Sequence, residues 1–187
     1  TEYIQGWMSF WFDGDKRLQA AKQFQQRRIE FLEQVWSKDR DLRMEGFSID
    51  DSDIASALKN FKAKTLNANK VGELLQIEAQ LTKQLYKTAA QRTQYGDFTR
   101  ERDALDAANA FLNHGNYLAY GLAATTLWVL GIPHGFAVMH GKTRRGALVF
   151  DVADLIKDAL ILPWAFVCAK EGASEQEFRQ QCLQAFT

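Results

Sequence analysis

The sequence predicts an all-α fold, and three observations support that prediction. Apolar residues recur at helical spacing over several long segments. The 187 residues include 2 prolines, and the 12 glycines lie mostly away from the periodic segments, which favours long helices over many short strands. With 47% apolar residues the chain is long enough for one sizeable core, so we predict one helical domain over residues 1–187.

The overall charge and the cysteines narrow the classes of function. Lysine plus arginine and aspartate plus glutamate both number 23, so the formal net charge is zero and any nucleic-acid site must be a local patch. Cys168 and Cys182 lack zinc spacing and are expected to pack as small hydrophobic side chains. No window approaches the ~18 apolar residues of a membrane span and no signal segment opens the chain. We therefore expect no membrane association and a soluble, cytoplasmic protein.

The first third of the chain predicts an aromatic segment, two helices and a loop. The aromatic residues over 3–12 must dock on something, and we favour the domain's own helices over a partner surface. Asp15 is expected to cap a helix that ends at Trp36. The charged segment from Ser37 to Ser48 is predicted to be a surface loop. The apolar residues of the next helix are Ile54, Leu58 and Phe61.

The helix predicted over residues 67–91 carries an acid inside its apolar stripe. The stripe consists of Val71, Leu74, Leu75, Leu81 and Leu85. Glu78 lies four residues after Leu74 and three before Leu81, so the helix cannot bury its stripe without bringing this carboxylate toward the core. Burying an unpaired carboxylate costs several kcal/mol, so we expect a cation, a hydrogen-bond partner or a cleft beside it, with a structural salt bridge as the alternative.

A long mixed helix is predicted to begin after residues 99–103 and to run to about Leu130, where Gly131 and Pro133 end it. Its expected core positions are Leu105, Ala108, Leu112, Leu118, Leu122 and Leu127. Its polar positions are Asn109, Asn113, His114 and Asn116, which could face a cleft, although His114 is expected to be a packed or surface residue. A last helix, to Ala185, is predicted from the capping box of Ser174 and Glu177.

The stretch over residues 131–169 combines one histidine, a basic turn and a row of acids. A helix from about Leu148 places Asp151, Asp154 and Asp158 on one face, where they repel each other unless a cation neutralises them. The same helix carries the expected core residues Leu148, Val149, Val152 and Leu155. Pro163 should kink or break it near Leu162. The alternative is that these acids form an ordinary solvated face.

Glu78, His140, Asp151 and Asp154 form a candidate metal centre. Carboxylates with one imidazole suit Mg²⁺ or Mn²⁺ better than zinc, and such an ion can act on a phosphodiester. The turn between the candidate ligands supplies Lys142, Arg144 and Arg145, and Lys157 adds charge near the same face.

Three other site patterns are excluded by spacing. The phosphate loop fails because Phe136 stands where a glycine is needed before Gly141. Neither the Glu-x-x-His pairs of a di-iron bundle nor an HExxH motif occurs in the chain.

Two segments resemble a known family. The first is NKVGELLQIEAQLTKQLYKTAA at 69–90. The second, at 103–169, includes NAFLNHGNYLAYG, FAVMH, the GK turn and LVFDVADLIKD. Together they resemble the catalytic domain of the CRISPR-associated spacer integrases, the Cas1 family. The likeness is greatest to the type I-F branch. The opening segment at 1–25 also resembles the segment that leads into the catalytic domain in that branch. One departure is the shifted position of Pro133 and Gly135 in the loop before His140.

The resemblance implies a site and a reaction. It implies that Glu78, His140 and Asp154 bind the metal with Asp151 beside them, and that Lys142 and Lys157 contact DNA. The implied activity is that of a metal-dependent DNA endonuclease and integrase, which inserts spacer DNA into the CRISPR repeat when a 3′-hydroxyl attacks a phosphodiester. A small β turn or hairpin over 141–146, next to the metal site, would complete the helical domain.

The resemblance also implies partners. These are DNA (the spacer precursor and the CRISPR repeat), a second copy of the protein in a homodimer, and Cas2, which is fused to Cas3 in type I-F systems. The β-rich N-terminal domain that forms the family's homodimer is missing from this chain, so we expect a longer parent polypeptide. The alternatives are a non-catalytic helical interaction module that binds through its Trp-rich opening, and a general repair nuclease for branched DNA.

Overall fold

The computed structural model describes residues 2–50, 52–103, 105–141 and 146–187, and these ranges form helices and connecting turns without a strand. The all-α prediction is therefore confirmed. The helices are α1 Glu2–Trp11, α2 Gly14–Lys38, α3 Arg40–Met44, α4 Ser52–Asn67, α5 Val71–Arg92, α6 Ala107–Leu130, α7 Ala147–Ile156, a π-helix Lys157–Ile161, α8 Leu162–Glu171 and α9 Glu175–Ala185. None of them is long and apolar enough to cross a membrane.

The continuous rod made of α7, the π-helix and α8 is the centre of the fold. Helices α2 and α6 both pack along α7, while α5, α6 and α9 pack against α8. Every residue from Ala159 to Cys168 is buried, so this part of the rod has no solvent-exposed face. The expected packing of Cys168 and Cys182 as hydrophobic side chains is confirmed, since both are free and buried.

The break predicted near Leu162 takes the form of a π-helix just before Pro163. In a regular α-helix the proline ring would clash with the carbonyl of Ala159, four residues earlier, and that carbonyl would also lack its donor. The wider turns avoid this, and the Leu162 N–H bonds the carbonyl of Lys157 instead. The indole N–H of Trp36 donates to the freed Ala159 carbonyl at 3.1 Å, so this acceptor keeps a hydrogen bond.

Several predicted boundaries in the first half were wrong. Asp13, not Asp15, caps α2, because its Oδ1 accepts from the backbone N–H groups of Asp15 (3.0 Å) and Lys16 (3.1 Å). The predicted loop over 37–48 contains α3, and it buries Leu42 and Phe47 completely. Those two apolar residues in a charged segment were the signal that outweighed its polarity.

The long predicted helices are confirmed with small shifts. Helix α6 ends as predicted at Gly131, whose φ of 68° is a left-handed conformation that glycine adopts without strain. Its start is later than expected, since Asp106 is the cap, and Leu105, predicted to be core, is fully exposed. Leu122, another expected core residue, is 43% exposed. The capping box of Ser174 and Glu177 is present in full.

The aromatic opening docks on its own domain, as favoured above. The indole N–H groups of Trp7 and Trp11 donate to the carbonyls of Phe136 (3.0 Å) and Ala137 (2.8 Å). The Trp11 ring also meets Phe136 edge to face, with centroids 4.7 Å apart. Helix α1 thus holds the loop that leads into His140.

Candidate metal centre

Three of the predicted ligands meet in space although they lie on different elements. Glu78 is on α5, His140 is on the loop after α6, and Asp154 is on α7; each offers one ligand atom, and these atoms all lie within 4.8 Å of one another. They lie at the wall of a cleft of about 720 Å³. The inward position of Glu78, argued from its place in the apolar stripe, is confirmed by a side-chain exposure of 16%.

Asp151 is not one of the three clustered residues but braces the loop that carries His140. Its Oδ2 accepts from the backbone N–H groups of Val138 (2.8 Å) and Met139 (3.1 Å), and its Oδ1 accepts from that of His140 (3.1 Å). The same Oδ1 lies 2.6 Å from His140 Nδ1. Asp151 is therefore a positioning residue.

The Asp151 contact determines how His140 can act. A carboxylate at Nδ1 holds the proton on that nitrogen, which leaves the lone pair of Nε2 free to bind a metal. The hydrogen bond with Asp151, followed by the charge of Asp154, raises the pKa of His140 against the opposing effect of burial.

Asp154 is paired with a cation one turn along the same helix. Its Oδ1 forms a salt bridge with Lys157 Nζ, which also lies 5.5 Å from the centroid of the Tyr120 ring. Burial opposes the ionisation of Asp154, but Lys157 and Arg28 outweigh it and hold the pKa of this carboxyl below its usual value. Asp154 is thus ready to bind a cation as a carboxylate.

Glu78 is supported from behind by an arginine that the sequence reasoning missed. Arg28, on α2, is 3% exposed, and its Nη1 lies 3.2 Å from Glu78 Oε1. Burial and the neighbouring Asp154 carboxylate raise the pKa of Glu78 to about 7, although Arg28 and His140 act in the opposite direction. Before any ion binds, Glu78 is therefore the least acidic carboxyl of the cluster.

The donor set fits a hard or borderline divalent ion. Two carboxylates and one imidazole nitrogen are ligands that Mg²⁺ and especially Mn²⁺ accept, and the cleft leaves room for further oxygen ligands. The row of acids on α7 and the π-helix is accordingly not a solvated face: Asp151, Asp154 and Asp158 are 4%, 4% and 6% exposed. Each is neutralised by backbone amides or by a cation.

The cleft beside the cluster carries cationic and amide side chains. Besides the three ligands it is lined by Tyr86, Arg100, Arg102, Asp103, Asn113, Asn116, Tyr117, Tyr120, Phe150 and Lys157. Arg100 is held in place by the carbonyl oxygens of the Asn109 (2.9 Å) and Asn113 (2.6 Å) side chains. The sequence reasoning anticipated that the asparagines of α6 could face a cleft but did not single out Arg100, which precedes that helix.

The remaining predicted site residues have different outcomes. Lys157 lines the cleft, paired with Asp154. Lys142, Arg144 and Arg145 lie outside the described residues, as does most of the β turn predicted over 141–146. His114 does not line this cleft; it contacts Phe178 on α9, with ring centroids 6.2 Å apart.

Comparison with known proteins places the chain in a family. Residues 8–183 match the family described as CRISPR associated protein Cas1. The CRISPR-associated endonuclease Cas1 of Pseudomonas aeruginosa (strain UCBPP-PA14) is 57% identical over 185 residues, which cover 98% of this chain and 57% of that protein. The chain thus spans a little over half the length of this curated relative.

Solved structures share the fold. A Cas1 protein from Thermotoga maritima superposes with a TM-score of 0.76 at 18% identity, over 98% of this chain and 61% of that one. A casposase bound to integration product superposes with a TM-score of 0.69 at 14% identity, over 98% of this chain and 55% of that one. At such low identities the likeness concerns the fold alone.

Proposed function

Because the chain belongs to the CRISPR associated protein Cas1 family, we propose that it is a catalytic domain that cuts and joins DNA with a divalent metal ion during CRISPR adaptation. The endonuclease name of the P. aeruginosa relative supports the nuclease part. The joining part is what the sequence resemblance to the spacer integrases implies. The substrates proposed are a spacer precursor and the CRISPR repeat.

One observation carries the proposal. Glu78, His140 and Asp154 bring ligand atoms within 4.8 Å of one another at the wall of a cleft that also carries Arg100, Arg102 and Lys157. Cationic side chains beside oxygen and nitrogen ligands suit a phosphodiester, whose oxygens can contact both. The net charge of zero is compatible with this function because the positive charge is concentrated locally.

Each residue has a distinct role in the proposed reaction. A bound Mg²⁺ or Mn²⁺ would supply Lewis-acid stabilisation of the charge that develops on the phosphodiester. Glu78, Asp154 and Nε2 of His140 would hold that ion, and Asp151 keeps the His140 ring in the required tautomer. A DNA 3′-hydroxyl would then form one phosphoester bond while another breaks, and water in its place would give strand cutting.

Among the residues that the structure describes, we propose that Arg100 and Lys157 contact the phosphates of the DNA backbone. Arg100 is pre-ordered by two asparagines, so little side-chain entropy is lost when its guanidinium meets a phosphate. Lys157 lines the same cleft beside Asp154 and would be a second contact for a phosphate. We also propose Lys142, Arg144 and Arg145, which follow His140 in the sequence, as DNA contacts.

The proposed protein partners are a second copy of the protein and Cas2. We propose that the protein forms a homodimer and acts with Cas2 fused to Cas3, as the sequence resemblance implies. The Trp-rich α1 is not offered as their docking surface, because Trp7 and Trp11 already bind the loop before His140.

The test is Mn²⁺-dependent processing of an end-labelled branched DNA duplex by this chain. Asp154→Ala should abolish both Mn²⁺ binding, measured by electron paramagnetic resonance, and strand cutting or joining. Asp15→Ala is the matched control, since Asp15 is an exposed residue on α2. Mn²⁺ binding or DNA processing that Asp154→Ala leaves unchanged would contradict the assigned site and favour the non-catalytic alternative.

Substrate comparison separates integration from repair. Joined products that require a CRISPR repeat sequence in the target support the adaptation function. Equal cutting of any branched duplex without joining would favour a general repair nuclease that uses the same metal site.

A further inference from the structure

A buried arginine from a helix that supplies none of the three ligands reaches the back of the metal cluster. Arg28 projects from the middle of α2 and is 3% exposed. Its Nε donates to Asp158 Oδ2 at 2.6 Å, and its Nη2 also pairs with that oxygen. Nη2 further donates to Thr82 Oγ1 at 2.8 Å. The guanidinium is therefore fixed on two of its edges before it meets Glu78.

The remaining edge of the guanidinium faces Glu78. Nη1 lies 3.2 Å from Glu78 Oε1, and the same Nη1 lies 3.4 Å from Gln25 Oε1. Because one carboxylate oxygen of Glu78 is engaged by Arg28, the other is the oxygen left for an ion on the cleft side.

The π-helix contributes to this arrangement. Asp158 is its second residue and is 6% exposed, and Arg28 neutralises its charge in the core. Glu78, Asp154 and Asp158 are three carboxylates, and the two cations that pair with them are Arg28 and Lys157. With Glu78 ionised and His140 neutral, these groups therefore carry an excess of negative charge that can attract a divalent ion.

We propose that Arg28 is a positioning residue for the metal centre: anchored by Asp158 and Thr82, it orients the Glu78 carboxylate for metal binding. This inference rests on the metal site of the proposed function. Its basis is the shape of the guanidinium, which can make these contacts at the same time. A lysine carries the same charge on one nitrogen and cannot span the three partners.

The charge-conserving variant Arg28→Lys isolates this role. We expect its Mn²⁺ dissociation constant, measured by electron paramagnetic resonance, to rise about 10- to 100-fold, the usual effect of removing an outer partner of a metal ligand. Arg27→Lys is the matched control, because the neighbouring Arg27 is exposed and pairs with Glu30 on the surface. Its Mn²⁺ affinity should equal that of the wild type.

A second variant covers the case in which Arg28→Lys does not fold. Thr82→Val keeps the side-chain shape and removes only the hydroxyl that accepts from Arg28 Nη2, so Mn²⁺ affinity should fall about 2- to 10-fold, the worth of one such hydrogen bond. In a Glu78→Gln background, neither Thr82→Val nor Arg28→Lys should change the residual Mn²⁺ affinity further, because the carboxylate that they orient is gone.

The outcomes are decisive. Wild-type Mn²⁺ affinity in folded Arg28→Lys or in Thr82→Val would overturn the positioning role while leaving the metal site intact. An effect of either variant that persists in the Glu78→Gln background would also overturn it, since Arg28 would then act on something other than Glu78. A wild-type protein that binds no Mn²⁺ would instead overturn the proposed metal site, and the role of Arg28 with it.

Discussion

The substitution Asp151→Asn should separate the bracing of the His140 loop from metal binding. The Asp151 side chain is 1% exposed and accepts three backbone N–H groups and His140 Nδ1. Asparagine offers one acceptor oxygen and one amino group. If the amino group took the place of Oδ2, it would face the backbone N–H groups of Val138 and Met139, which are both donors. If it took the place of Oδ1, it would face one backbone donor, the N–H of His140, and could donate to His140 Nδ1.

The second orientation is the one we expect, and it has two consequences. One buried N–H loses its acceptor and the remaining bonds lose their charge, so the free energy of unfolding should fall by about 2–4 kcal/mol. Typical domains have about 5–15 kcal/mol in total, so the variant should stay folded. Nδ1 becomes an acceptor, the proton moves to Nε2, and the metal ligand is blocked, which should weaken Mn²⁺ binding about 10- to 100-fold.

Three measurements test this reasoning on Asp151→Asn, with exposed Asp15→Asn as the control. Urea unfolding gives the stability change, electron paramagnetic resonance gives Mn²⁺ affinity, and ¹⁵N spectra of the imidazole give the tautomer of His140. A variant that keeps the proton on Nδ1 and binds Mn²⁺ like the wild type would refute the reasoning.

The same contact predicts a pH dependence. In the wild type the raised pKa of His140 adds stability that is fully present below its unfolded-state pKa of ~6.5 and is lost as pH rises through the higher folded-state pKa. Asp151→Asn should reduce this loss, because the hydrogen bond that raises the pKa is removed.

Two further predictions concern the candidate metal centre in chelator-treated protein and the packing of α6. With a chelator present, the stability of the wild type should fall as pH rises through about 7, because the pKa of Glu78 lies near that value instead of 4.5 and the folded state binds the proton more tightly. Urea midpoints at pH 5 and pH 8 should differ less in Glu78→Gln, and equal differences would contradict the assignment. Gly115→Ala should lower stability by about 1–3 kcal/mol, because its Cβ would collide with Ile161 and approach Phe178 Cζ to 3.1 Å. On the same helix Gly121→Ala meets no atom within 4 Å and should raise the melting temperature instead.

Much of the site could be predicted from local spacing. Glu78 had to face inward because the apolar residues on both sides of it do, and Asp151 and Asp154 follow from one helical face. What spacing could not show is how the two aspartates differ. Asp154 enters the cluster, whereas Asp151 bonds the backbone at 138–140. The two residues just before that segment are held by Trp7 and Trp11.

The sequence by itself determined the helices, most of their ends and the inward direction of the acids, because apolar periodicity and capping residues act within a few residues of the chain. The tertiary structure alone decided which buried charges meet. Arg28 lies in the apolar stripe of α2, between the buried residues Ala21 and Leu32. Spacing therefore places it inward, but only the tertiary structure shows that it reaches Asp158 across 130 residues of sequence. The energy of a buried ion depends on the partner that neutralises it, and no local pattern specifies a partner so distant in the chain.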